Sequence, residues 1–86
     1  MPEICRFYGI IIKMFFQDHS PPHFHAEYQE YEAVFDIRTL EIIRGEIPAR
    51  AKLLVTEWAN AHQNELIKDW EKAQKPEPLN KIEPLK

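Results

Sequence analysis

Glycine is nearly missing from this sequence. Gly9 and Gly45 are the only two in 86 residues, so no glycine-rich loop can wrap a phosphate group. Cysteine is scarcer still. Cys5 stands alone, which excludes an internal disulfide, a zinc knuckle and a Cys-His pair with a positioned third member. There is no surplus of positive charge: 14 acidic against 11 basic side chains leave a net charge of -3, the wrong sign for a protein whose main task is gripping nucleic-acid phosphates. Long hydrophobic runs are absent too. The longest is broken by Lys13 and falls far short of the roughly 18 to 20 residues that cross a bilayer. The N-terminus lacks a basic-plus-apolar secretory pattern, and with one cysteine this leads to an expected cytoplasmic address.

What is present suffices for one small fold. Apolar residues make up 44% and aromatics 12%, too many for a disordered chain. The first half is rich in β-branched and aromatic residues and predicts strands near Ile4 to Tyr8, Ile10 to Phe16, His23 to Tyr28, Tyr31 to Ile37 and Glu41 to Arg44. Gly9 suits the first bend, and Gln29 with Glu30 the tip of a hairpin. From Pro48 the period changes to three and four residues through Ala51, Leu54, Val55, Trp58, Leu66, Ile67 and Trp70, which predicts an amphipathic helix. The run is long, so a break into two helices near Ala61 to Gln63 is the alternative. Three prolines in "KPEPLNKIEPLK" then stop the helix. The expected fold is α+β: a small antiparallel meander of four to five strands packed by a long C-terminal helix or helix pair. One domain spans residues 1–74 (sheet 1–45, helix 48–74), and residues 75–86 form a proline-rich extended tail whose Leu79, Ile82 and Leu85 would pin it to the domain or to a partner.

The chemistry concentrates in "DHSPPHFHAEY", residues 18 to 28. On a strand, His23 and His25 share one face, roughly 6.6–7 Å apart, with Phe24 turned the other way into the core. The two imidazoles would then lie on the less buried face, beside Asp18 and His19 on a loop stiffened by Pro21 and Pro22. Three uses fit. A divalent transition metal such as zinc would take His19, His23 and His25, or Asp18 in place of His19. Two histidines flanking a phosphate would serve as acid and base for cleaving RNA, with Asp18 orienting a ring and Arg6 or Lys13 holding the phosphate. The third use is structural, with rings bonded to loop carbonyls and stacked on prolines.

Elsewhere the residues read as architecture. His62 shares a helix face with Trp58 and Leu66 and is expected to be half-buried, and Cys5 to be an inert core thiol. Trp58 and Trp70 are core or interface anchors, with Trp70 the candidate for binding a partner. Glu27, Glu30, Glu32 and Asp36 form an acidic face that repels nucleic acid or attracts a basic partner.

The string "RFYGIIIKMFFQDHSPPHFHAEY" resembles a bacterial family, domain of unknown function family 4160. Arg6 to Gly9, Asp18 to His25, Ala33 to Ile37, Glu57 with Trp58, and the closing "EPLNKIEPL" all match its pattern. Members of that family resemble one another in being small cytoplasmic proteins, often encoded beside a second small domain. The resemblance therefore implies one component of a two-protein, toxin-antitoxin-like module acting by protein-protein binding. The partner would be the product of an adjacent gene or a second copy in a homodimer. The alternative is a small histidine-based nuclease or metal-dependent hydrolase working through the same loop.

Overall fold

The central strands turn most of their apolar residues to one side of the sheet. The computed structural model describes residues 3–86, and residues 1 and 2 of the expected domain lie outside it. The strands are β1 (Glu3–Phe7), β2 (Ile10–Lys13), β3 (His23–Tyr28), β4 (Tyr31–Asp36) and β5 (Ile42–Glu46), followed by helices α1 (Ala49–Ala61) and α2 (Gln63–Gln74). The strands lie in the order β1-β2-β3-β4-β5 and every pair is antiparallel. This is the expected meander with five strands, an α+β fold.

Alternation gives the sheet an inner face of Ile10, Ile12, Phe24, Ala26, Ala33 and Phe35, all fully buried. α1 covers that face with Ala51, Val55, Trp58 and Ala59. Phe24 stacks on Phe35 with ring centroids 5.3 Å apart and meets the edge of Trp58 at 6.0 Å. The helical run does break. His62, with φ -127, closes α1 and opens α2, although no glycine or proline stands there. The break lets the Gln63 side chain donate a 2.9 Å hydrogen bond to the Ile37 carbonyl just past β4. α2 then buries Leu66, Trp70 and Ala73.

Positive φ shapes the β1-β2 turn and one position inside β5. Tyr8 and Gly9, at φ 49 and 78, make the tight β1-β2 connection, which ends β1 at Phe7 rather than Tyr8. Gly45 has φ 79, and a Cβ there would stand 2.3 Å from the Glu32 carbonyl oxygen. Only glycine lets β5 approach β4 so closely, so β5 continues past Arg44, where the sequence suggested it would end. β2 is shorter than expected. It ends at Lys13 instead of Phe16 because the chain leaves the ladder to cross the outer face, where the Gln17 N–H donates to the Ala73 carbonyl at 2.9 Å.

The proline-rich tail packs on the domain. Ile82 is buried in the core, its N–H donates to the Ile4 carbonyl of β1 at 2.9 Å, and the Trp58 indole N–H donates to the Glu83 carbonyl at 2.7 Å. The tail therefore lies along β1. On the far side of the sheet, β5 pairs with β4 alone among the described residues, and most of its own residues are exposed.

Candidate functional site

The outer face of the sheet carries the polar residues in three rows fixed by register. Ile11, Glu27, Glu32 and Glu46 form one; Lys13, His25, Val34 and Arg44 form the next; His23 and Asp36 lie beyond. The two histidines do share this face, with ring centroids 5.4 Å apart. They are not on an open surface, however. His23 is 3% and His25 8% exposed, a correction to the less buried setting expected from alternation. The segment between β2 and β3 folds back over them. Phe15 meets the His25 ring edge-on at 4.4 Å, and Trp70 from α2 packs against the His23 ring at 5.1 Å.

Asp18 is the loop residue that reaches both rings. Its Oδ2 lies 2.9 Å from His23 Nε2 and 3.6 Å from His25 Nε2. His23 Nδ1 is 2.6 Å from the Pro21 carbonyl oxygen, which can only accept, so Nδ1 carries the proton of that pair. Its Nε2 consequently faces a carboxylate oxygen, an arrangement that suits a proton or a cation between the two. His25 is less well served. Its Nδ1 lies 3.3 Å from Glu32 Oε2, yet neither ring nitrogen makes a well-aligned hydrogen bond among the described residues despite burial. Burial works to raise the Asp18 carboxyl, but the His23 hydrogen bond, the His19 backbone N–H and the His23 charge outweigh it and hold the group below the ordinary aspartate value.

The other candidates divide clearly. His19 does not join the buried pair: its side chain is 82% exposed and touches the opposite oxygen, Asp18 Oδ1, at 3.3 Å. Loop closure brings the carboxylate inward and leaves that ring in solvent. Lys13 neighbours His25 across the ladder, but its Nζ is held by Glu27 Oε2 at 2.9 Å. Arg6 sits on β1 and is held by Glu3 at 2.9 Å. Neither cation is aimed at a phosphate beside the histidines. Trp70 is only 8% exposed, with its ring packed against His23. His62 is half-buried against Trp58, and Cys5 is buried, which pushes its thiol up. Glu32 was grouped in sequence with the acidic face alone; its pairing across the ladder from Glu27, next to the His25-Val34 pair, is the signal that places it beside His25.

No helix among the described residues is long and apolar enough to cross a membrane. No curated protein and no solved structure matches the chain. A family model described as a domain of unknown function, DUF4160, matches residues 9–71. The matched span takes in the Asp18 to His25 loop, residues 33–37 and the Glu57-Trp58 pair; Arg6 to Tyr8 and the tail lie outside it. With most of its length and the whole histidine loop inside that match, the chain belongs to the DUF4160 family.

Proposed function

We propose that the protein is one component of a two-protein, toxin-antitoxin-like bacterial module and acts by binding its partner along β5. The observation that carries this reading is the asymmetry of the sheet edges. The tail lies along β1, whereas β5 has a partner strand on one side only, and its Ile43 is 47% exposed. An unpaired edge with an exposed apolar residue favours addition of an extended strand from another chain. The charge at this edge points to the partner's chemistry. Glu27, Glu32 and Glu46 stand side by side across three strands, with Lys13 holding Glu27 and Arg44 the nearest further cation in the adjoining row. Like charges directly opposite one another oppose pairing, and a basic strand laid on β5 would relieve them. The family resemblance supports a small protein from an adjacent gene as the source of that strand.

Co-expression with the adjacent gene product tests this. The complex should co-purify, and Ile43→Asp and Glu46→Lys should each weaken it about tenfold or more without lowering the thermal midpoint of the free chain. A chain that forms a homodimer through β5 and binds nothing else would refute the two-protein reading.

A second reading rests on one observation, the convergence of Asp18, His23 and His25. A nuclease or hydrolase built on them would need its substrate to reach ring nitrogens whose side chains are 4% and 10% exposed. A cavity of about 350 Å3 lies instead between the start of α1 and the Tyr8 and Tyr28 ends of the strands, and no histidine lines it. Under the enzymatic reading His23→Ala abolishes cleavage of RNA by the purified protein. Under the binding reading that substitution leaves the partner complex intact.

A further inference from the structure

We infer that Asp18, His23 and His25 form a binding site for a divalent transition-metal ion of the zinc class, and that the ion fastens the loop between β2 and β3 onto the outer face of the sheet. One ligand atom from each residue falls within 4.8 Å of the others. The orientation of the rings is the stronger evidence. Both histidines turn Nε2 toward the same carboxylate oxygen, at 2.9 Å and 3.6 Å, and both turn Nδ1 toward an acceptor outside the cluster: the Pro21 carbonyl at 2.6 Å and the Glu32 carboxylate at 3.3 Å. A ligating histidine ordinarily donates its second N–H to such an outer acceptor, which fixes the tautomer and leaves the other nitrogen free to bind metal.

An independent observation is the state of His25. A ring 8% exposed with neither nitrogen hydrogen-bonded is costly to bury, and here its Nε2 is aimed into the cluster. A metal bond at Nε2 would satisfy it. The donor set decides the class of ion. Two imidazole nitrogens and one carboxylate oxygen suit zinc and its neighbours, whereas magnesium and calcium take oxygen ligands. Three protein donors leave one tetrahedral position for water or a further ligand. Phe15 and Trp70 wall the rings with apolar surface, which limits competition from solvent. Asp18 comes from the loop and both histidines from β3, so the ion would join two segments that the backbone ladder does not connect. His19, exposed and beside the other Asp18 oxygen, is outside the ligand set.

Chelator-treated full-length protein is titrated with Zn2+ by calorimetry, with Mg2+ as the control ion, while the imidazole nitrogens are followed by NMR. Zinc should bind one ion per chain at micromolar concentration, shift Nε2 of His23 and His25 and leave His19 and His62 unmoved; magnesium should do nothing. Asp18→Asn and His25→Leu should weaken binding at least about 100-fold, and Glu32→Gln about tenfold. His19→Ala should bind as the parent does. His25→Leu is expected to fold at least as well as the parent, so its failure to bind cannot be ascribed to unfolding. Zinc binding that survives His25→Leu, that is lost in His19→Ala, or that does not occur in the parent overturns the site.

Discussion

Replacing His25 by leucine should stabilise the protein in the presence of a chelator. The side chains are close in size, and the position is walled by Phe15 and by its ladder neighbours Lys13 and Val34. The parent ring buries two nitrogens that find no aligned partner. A buried polar group left unpaired costs about 1–3 kcal/mol, whereas an apolar group of similar shape carries no such cost. The carboxylate oxygens at 3.3 Å and 3.6 Å return part of that through long, poorly aligned contacts. The balance is a gain of about 1–2 kcal/mol for leucine. For a domain of this size each kcal/mol moves the thermal midpoint by roughly 4–8 °C. Thermal melts in EDTA should therefore show His25→Leu at least several degrees above the parent. With zinc in excess over its dissociation constant the order should narrow or invert, because an ion that binds only the folded parent stabilises that protein alone. A variant that melts below the parent in EDTA refutes the reasoning, since it would mean that the imidazole makes a hydrogen bond worth keeping.

Two further outcomes test the frame around the site. Gly45→Ala places a Cβ 2.3 Å from the Glu32 carbonyl and forces an alanine to φ 79; it should cost at least about 1–2 kcal/mol in urea denaturation and loosen β5, and an unchanged midpoint would contradict the β4-β5 register. Asp69 is 1% exposed, accepts the Asn80 backbone N–H at 2.9 Å through Oδ1 and leaves Oδ2 unpaired, and burial raises its carboxyl above the ordinary value of 3.8. A raised folded-state value means that the native chain holds the proton more tightly, so this group's contribution is fully present below about pH 3.8 and is lost as pH rises through the raised value. Asp69→Asn keeps an acceptor for Asn80 and removes the charge, so its midpoint relative to the parent should climb as pH rises from acid toward neutral. Parallel pH profiles for the two proteins would sink that account.

Part of the site was legible in the sequence because it is a matter of local geometry. β3 spans His23–Tyr28, as its alternating apolar pattern indicated, and Phe24 turns inward while both imidazoles turn outward. Asp18 stands against a ring, as a carboxylate five residues before His23 on a proline-stiffened bend can. The shortened β2, the burial of both histidines and the exclusion of His19 were not legible. They depend on where the chain goes after Lys13, and that is set by contacts with residues 47 or more positions away, the Ala73 carbonyl and the Trp70 ring. The helix break at His62 falls within the Ala61 to Gln63 window that the length of the run suggested as an alternative, but nothing in the "NAHQN" composition requires it, and the Gln63 bond to the end of β4 accompanies it.

By itself the sequence determined the order of elements, the meander, the inward and outward sides of each strand and the identity of the histidine loop. These follow from φ/ψ sterics and from side-chain periodicities of two and 3.6 residues, which act between near neighbours. Tertiary structure alone decided that α2 and the β2-β3 loop close over the outward face, that the tail takes the β1 edge and leaves β5 open, and that Asp18 rather than His19 completes the buried cluster. Those choices are made by burial and hydrogen bonding between segments far apart in the chain, for which no local pattern carries the information.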